Sequence, residues 1–497
     1  MTSKSYLIFD FGASNGRAIC GDFNGKKIEM DVVHRFDNVP VFVGDTLYWD
    51  ILRLYHDLKI GIVNSLKNNK IISSIGIDTW GADFGLLDKD GKLISNPVNY
   101  RDENRVKTSD ELFQKIPAKE LYFLTGAWVS PIFDLFHLYS LKVKNTVEIK
   151  NADKYLPIAD LFNYFLTGNA FNEFTRFTTS VFYNQKENKK EDKIFEILDL
   201  PINIFPETIM PGEKVGILSN DLCRELQSRP IPIIAPSTHD TASAVAGIPE
   251  VGSKKNWAFG SIGTWIAIGR ETIIPIINEN TFKYVFSNEA GVENSNIFVK
   301  NINGLWTIQQ CMNKWKIEKG ENFSWNDMDS IYPTVKPFKT FIDNDDPVFA
   351  KPQTDMPEII RNYARDKGLP APEGIDEIAR CIYESIVLNF RYYYLLLEKF
   401  TDTKIEILHL VGGGIKNNLI CQWISNALKI PVIAGPVETT SMGNALMQLK
   451  ANNEIANLAE GRQVSANSSD INYFEPKDQN LWDAAYNSFI KIFKDIR

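Results

Sequence analysis

Three short stretches hold the residue types that could do chemistry. Asp10-Phe11-Gly12-Ala13-Ser14-Asn15-Gly16-Arg17 and Gly260-Ser261-Ile262-Gly263-Thr264-Trp265 are glycine-bearing turns between apolar runs, and Pro236-Ser237-Thr238-His239-Asp240 follows a third apolar run. A tight turn whose backbone N–H groups point outward can cradle phosphate oxygens, and an acid beside it can hold Mg²⁺. Two such turns suggest one nucleotide gripped from two sides. Asp10 could bind the metal through water, and Arg17 could either neutralise phosphate charge or pair with a surface carboxylate. Asp240, at the expected start of a helix, suits a base. The helix N-terminus favours its anion and lowers its basicity, yet phosphoryl transfer through a loose transition state needs only late proton removal. Taken alone, each feature also has a purely structural reading: a hairpin using glycine for φ > 0, and an N-cap aspartate.

These residues need a frame. At 497 residues the chain exceeds what one core usually spans, so two domains of roughly 200–250 residues are expected, with a catalytic cleft between them. From Tyr6 to Arg35 the order is apolar run, glycine turn, apolar run, Asn24-Gly25, apolar run, which predicts a β-meander. Ile75–Leu87 reads as strand, turn and strand. Ser109–Leu124 and Ile132–Val147 have helical spacing, and 184–193 reads as a charged surface loop without structure. Ile231–Ala235 reads as a strand leading into a small-residue helix from Thr241 to Ala246. Val251-Gly252-Ser253-Lys254-Lys255 reads as a linker, which gives domains 1–249 and 250–497. The second half repeats the opening order of the first at Asn256–Ile268, suggesting duplication of one domain type. Ile405–Val411 is an expected strand that runs into Gly412-Gly413-Gly414 and then a helix over Leu419–Leu428. That crossover could serve as an adenosine shelf.

Composition narrows the partners. Lys and Arg number 54 against 62 Asp and Glu, a net charge of −8, which argues against nucleic-acid or anionic-membrane surfaces. The five cysteines show neither zinc spacing nor an even disulfide framework, which fits a reducing cytoplasm. Residues 1–5 pass straight into the first strand, so no export signal is expected. Cys381–Phe400 is apolar but carries four charges, which predicts a buried amphipathic helix rather than a membrane span.

In this order the motifs resemble those of the FGGY carbohydrate kinases of the actin-like ATPase superfamily, and within that family the rhamnulokinases. The resemblance is carried by Phe9–Arg17, His34-Arg35-Phe36, Trp49-Asp50-Ile51, Ser74–Asp83, Tyr100-Arg101-Asp102 and Thr125-Gly126. It continues in Asn172-Glu173-Phe174-Thr175, His239–Val245, Gly263-Thr264-Trp265, Asn288-Glu289, Gly304-Leu305-Trp306, Val411–Gly414, Gly435–Glu438 and Gly443-Asn444. It implies an α/β protein of two actin-like, ribonuclease H-like domains, the first for sugar and phosphate and the second for nucleotide. The implied reaction is ATP- and Mg²⁺-dependent phosphorylation of the 1-hydroxyl of a 6-deoxy ketohexose such as L-rhamnulose. Carried over by position, Asp240 resembles the proton acceptor, and Gly81, His239, Thr241 and Asn301 resemble sugar contacts. Ala13, Ser14, Asn15, Gly16, Arg17, Thr264, Gln309 and Gly413 resemble the nucleotide site, with Asp10 assisting the metal. Trp80 and Trp306 could wall a deoxy-sugar methyl group or be ordinary core residues. The resemblance further implies a cytoplasmic monomer or homodimer that meets a small ketose, with no nucleic acid and no membrane.

Near the sugar the pattern departs. Asp134 and Arg176 stand where Asn is expected, His137 where Gln is expected, and Asn15 replaces Ser in the first turn. L-Fuculose and L-xylulose therefore stay open as substrates. A catalytically silent sugar-binding regulator and an actin-like or chaperone ATPase are the readings from other classes. The first would show a damaged base or phosphate turn; the second would not need the His239-Asp240-Thr241 group.

Overall fold

The structure, a computed structural model, describes residues 3–67, 70–250, 252, 255–320 and 322–494. The chain forms two compact units, one of Met1–Ser253, Glu271–Phe298 and Glu438–Ser469, the other of Lys254–Arg270, Val299–Val437 and Asp470–Arg497. Two internal stretches, 271–298 and 438–469, thus group with the first unit although they follow residue 250 in sequence. Residues 251, 253 and 254 of the expected linker lie outside the described residues.

The first unit is built on six strands: β1 (Lys4–Phe11), β2 (Asn15–Phe23), β3 (Ile28–Asp37), β4 (Ile72–Thr79), β5 (Glu213–Ile217) and β6 (Pro232–Ala235). Their order across the sheet is β5-β6-β4-β1-β2-β3. The expected meander forms: β1, β2 and β3 pair antiparallel, and Gly25 supplies φ 92° at the Asn24-Gly25 turn. β1 then pairs in parallel with β4, and β4 with β6. Alternation along β1 explains its burial on both faces. Leu7, Phe9 and Phe11 enter one core with Trp49 and Ile62, while Tyr6 and Ile8 enter another with Met442, Ala445 and Leu446. Each fully buried side chain of this size contributes roughly 1.5–3 kcal/mol relative to exposure.

The second sheet has seven strands: β7 (Trp257–Ile262), β8 (Trp265–Thr272), β9 (Ser287–Ala290), β10 (Asn296–Asn303), β11 (Ile407–Val411), β12 (Val432–Ala434) and β13 (Asn472–Phe474). Its order is β9-β10-β8-β7-β11-β12-β13. The β7–β8 hairpin is antiparallel, β7 pairs in parallel with β11, and β11 with β12. Both sheets therefore place an antiparallel hairpin beside two parallel strands and end on an antiparallel edge strand. That common plan is what duplication of one domain type predicts.

Three sequence expectations change in detail. Ser109–Leu124 is two helices, Ser109–Lys115 and Ala118–Thr125, because Pro117 cannot donate within a helix and holds Ile116 extended. The segment read as one helix from Ile132 divides into Asp134–Val143 and Val147–Asn151. The charged loop at 184–193 contains a small hairpin of Tyr183–Asn184 with Lys189–Lys190, seeded by the Asn184 Oδ1, which accepts from the N–H groups of Lys186 and Glu187. The amphipathic segment is a 27-residue helix, Ile375–Thr401, and no described helix is long and apolar enough to cross a membrane. All five cysteines are free thiols.

Candidate active site

Strand register assembles the first-unit residues. Asp10, near the end of β1, lies opposite Arg17 on β2 and opposite Asp78 on β4. Thr79, the last residue of β4, bridges to His239, and its N–H donates to the Thr238 carbonyl at 2.9 Å. The carboxyl ends of β1, β4 and β6 thus lie side by side, where open α/β sheets bind ligands.

Around Asp10 the charges are dense. The Arg17 guanidinium donates to Asp10 Oδ2 at 2.6 Å and also pairs with Glu438, while the Ser441 hydroxyl donates to the same Asp10 oxygen at 3.0 Å. Ser441 belongs to a helix, Thr439–Ala451, whose Asn444 Nδ2 donates to Asp78 Oδ2 at 2.6 Å. Burial, then the charge of Asp10, raises the Asp78 carboxyl well above the usual range. Its Oδ1 has no partner among the described residues.

Asp240 is the first residue of a helix we call α1 (Asp240–Ala246), with His239 at the N-cap position. The Thr241 hydroxyl donates to Asp240 Oδ1 at 3.3 Å, and His239 Nε2 lies 3.4 Å from the same oxygen. The expected lowering of its basicity by the helix is reversed. Burial and the charge of Asp10 push Asp240 up to about 7. With 36% of the side chain exposed, solvent screens both causes, and the upward direction is what bears on the chemistry. A helix of seven residues offers a weak opposing field.

The segment before Asp240 is tied down by Glu173, a buried carboxylate that sequence reading quoted in a motif but gave no role. It accepts from the N–H and hydroxyl of Thr238 at 3.0 and 2.7 Å and from those of Thr175 at 3.0 and 2.6 Å. Gly81 lets the His239 ring approach the chain after β4, since a Cβ there would sit 2.5 Å from Nε2. Glu289 on β9, likewise quoted but unassigned, is buried with Oε2 3.6 Å from His239 Nδ1. Ser287–Ala290 is a fully buried strand, half of it polar and one residue charged, and that burial is a property of the fold that the residue types alone do not show.

The first turn spans Gly12–Asn15, closed by the Gly12 N–H donating to the Asn15 carbonyl at 2.9 Å and braced by Asn38. Ser14 and Asn15 are exposed, Ala13 is half-buried and Gly16 is buried. Neither Gly12 nor Gly16 has positive φ, contrary to the hairpin reading. Gly16 is needed for space, because a Cβ would lie 2.3 Å from the Phe36 ring.

Thr264, Gln309, Gly413 and Asn301 belong to the second unit. The Thr264 hydroxyl donates to Gln309 Oε1 at 3.3 Å, and the Thr264 carbonyl accepts from the N–H groups of Gly304 and Trp306 at 3.1 and 3.3 Å. The second turn is thereby latched to the start of the helix Trp306–Lys319. Gly413 is exposed at the start of a short 3₁₀ turn, and Asn301 is half-buried on β10.

Three of the four departures, Asp134, His137 and Arg176, belong to one buried network. Arg176 Nη2 donates to Asp134 Oδ2 at 2.8 Å and to the Asp83 carbonyl at 2.9 Å, and Asp134 Oδ1 accepts the Asp83 N–H at 2.7 Å. Arg105 pairs with Asp83 and lies 3.4 Å from His137 Nδ1. Burial and Arg105 hold His137 well below the usual histidine range, so it is neutral. Two arginines thus balance two aspartates. Trp80 is buried, packed against Trp49 with ring centroids 4.3 Å apart and planes tilted by 39°, and donates to Asp83 at 3.3 Å, while Trp306 is half-buried.

With this geometry in hand, sequence comparison decides the family. Residues 5–247 match the N-terminal domain of the FGGY family of carbohydrate kinases, and residues 258–452 match its C-terminal domain. The chain belongs to the FGGY family of carbohydrate kinases. It is a sugar kinase of two-domain α/β fold. It is 36% identical to a rhamnulokinase of Bacteroides thetaiotaomicron over 98% of this chain and 99% of that one, and 33% identical to a rhamnulokinase of Oceanobacillus iheyensis over 94% and 97%. Its fold is similar to that of a ligand-bound xylulose kinase from Lactobacillus acidophilus, with TM-score 0.81, 15% identity and coverage of 99% and 98%. A glycerol kinase with ADP from Plasmodium falciparum gives TM-score 0.77 at 16% identity, covering 99% and 98%. At such identities the FGGY fold alone is shared.

Proposed function

We propose that this FGGY kinase transfers the γ-phosphoryl group of ATP to the 1-hydroxyl of a 6-deoxy ketohexose, L-rhamnulose foremost, giving L-rhamnulose 1-phosphate. The observation that carries this reading is the meeting of Asp10, His239 and Asp240 at the carboxyl ends of β1, β4 and β6, in a chain aligned over nearly its full length with rhamnulokinases.

In this reading Gly81, His239, Thr241 and Asn301 orient the sugar. Ala13, Ser14, Asn15, Gly16 and Arg17 in the first unit, and Thr264, Gln309 and Gly413 in the second, serve the nucleotide. The sugar oxygen bonds to the γ-phosphorus as the bond to the β–γ bridging oxygen breaks. ADP leaves with that electron pair, and the hydroxyl proton passes to Asp240. Positioning and electrostatic stabilisation lower most of the barrier, so an acid raised to about 7, close to neutral pH and therefore ionised in only part of the molecules there, is a sufficient base.

Among the described residues no group of three or more His, Cys, Asp or Glu is arranged to hold a metal. Mg²⁺ suits one or two carboxylates completed by water and phosphate, and Asp10, in a region of excess negative charge, fits that demand. Bound there, the ion would neutralise phosphate charge. We place the enzyme in the cytoplasm, in keeping with its five free thiols.

Asp134, His137 and Arg176 are buried and linked, Asp134 and Arg176 directly and His137 through Arg105 and Asp83. This weakens the case that they retune the sugar site toward L-fuculose or L-xylulose. A coupled ADP-release assay with MgATP and L-rhamnulose, L-fuculose, D-ribulose and L-xylulose tests the proposal. Highest kcat/KM with L-rhamnulose supports it, preference for another sugar reassigns the substrate, and no ADP with any sugar favours a binding protein without catalysis.

A further inference from the structure

His239 lies between two carboxyl groups of the first unit. Its Nε2 is 3.4 Å from Asp240 Oδ1 and its Nδ1 is 3.6 Å from Glu289 Oε2. Nδ1 and Oε2 are both buried and have no hydrogen-bond partner among the described residues. Two unsatisfied polar atoms facing each other in a dry site each incur a desolvation cost, unless one carries a proton the other can accept. Ionised Glu289 beside a neutral imidazole lone pair would be repulsive; a neutral carboxylic acid is a donor that matches it.

We propose that Glu289 is a positioning residue: as the neutral acid it donates to Nδ1 of His239, fixes the tautomer that carries its proton on Nε2, and so aims that N–H at Asp240 and the sugar hydroxyl. The separation must close by less than about 1 Å to reach hydrogen-bond length, a tightening common when such sites fill. Electrostatics agree. Burial first and then the charge of Asp240 raise Glu289 to about 8, and burial lowers His239 to about 3. The groups facing Glu289 are His239 and Asp240. Arg176, on the helix Phe174–Thr178 packed against β9, acts on His239, and Ser287 lies on Glu289's own strand. Once Glu289 ionises it can no longer donate, and the tautomer is released.

The assignment rests on the kinase reading for its kinetic readout only, and ¹⁵N-histidine NMR of the full chain tests it without turnover. The His239 resonances, identified by their loss in His239→Gln, should show Nε2 protonated and Nδ1 bare, unchanged in Glu289→Gln and mixed in Glu289→Leu. In kinetics, kcat should fall at least tenfold in Glu289→Leu and be restored in Glu289→Gln. The wild-type decline in kcat above about pH 8 should be missing in Glu289→Gln. Thermal melts confirm that each variant is folded; if Glu289→Leu is not, the Gln pH profile and the wild-type tautomer decide. An unchanged His239 tautomer in folded Glu289→Leu, or an alkaline limb that persists in Glu289→Gln, overturns the proposal. Absence of ADP release by the wild type would sink the kinase reading and leave the tautomer result standing.

Discussion

Arg17 faces Asp10 across the β1–β2 ladder at 2.6 Å and reaches Glu438 with its other terminal nitrogen, so one guanidinium is shared by two carboxylates of the same unit. A phosphate would have to compete with Glu438 for that fork. Arg17→Ala should raise the KM for MgATP at least tenfold. It should also destabilise the first unit by about 1–3 kcal/mol, because Asp10 loses its cation in a mostly buried place. Equilibrium urea unfolding and initial rates check the two effects separately. Unchanged KM with lowered stability would mean that the cation serves only the carboxylates.

Asp240→Asn keeps the size of the side chain and removes the proposed proton acceptor. Turnover should drop by about 10²–10⁴-fold, with sugar and nucleotide affinity within a few-fold of the parent by calorimetry. Near-normal turnover would rule out the role of base.

The pH dependence follows from the raised Asp240. Only the ionised carboxylate accepts the proton, and a raised value keeps the carboxyl protonated to higher pH. Activity is therefore present above about 7 and lost as the pH falls through it. With MgATP well below saturation, kcat/KM should decline about tenfold per unit on the acid side. Asp10→Asn removes the neighbouring charge and should move this limb to lower pH, whatever it does to the maximum.

The buried Asp134–Arg176 pair should obey the asymmetry of ion pairs in a dry interior. Asp134→Leu alone strands a cation and should cost about 3–5 kcal/mol, whereas Asp134→Leu combined with Arg176→Met should cost much less than the sum of the two singles. Urea unfolding of the four proteins measures the coupling. Additive losses would show that the pair does not act as a unit.

Gly81→Ala places a methyl group against the His239 ring. We expect kcat to fall at least tenfold with a small change in melting temperature, as the ring turns away from Asp240.

Much of this was legible in the chain. Asn24-Gly25 announced the meander, the small residues after Asp240 announced a helix, and the strand before Gly412 ended where expected. Asp10, Arg17 and Asp240 stood out because their neighbours are glycines, prolines and strand ends. What could not be read was pairing at a distance. The register that sets Asp10 beside Asp78, the return of 438–469 to the first unit, and the approach of Glu289 to His239 join residues tens to hundreds of positions apart. The sign of the Asp240 shift was misread for the same reason. The local helix was visible in the sequence, but the opposing charge of Asp10, 230 positions away, was not. The same holds for Asp134, His137 and Arg176, which looked like independent exchanges near a ligand and are one charge-balanced set of contacts.

Glu173 gathers donors from both Thr175 and Thr238, which leaves the backbone just ahead of Asp240 with no slack. Amides 238 and 239 should then exchange with deuterium only when that whole corner opens. On the proposed reading, the carboxylate that would receive the proton is in effect aimed before any sugar arrives, and little reorganisation would remain to be done at the moment of transfer.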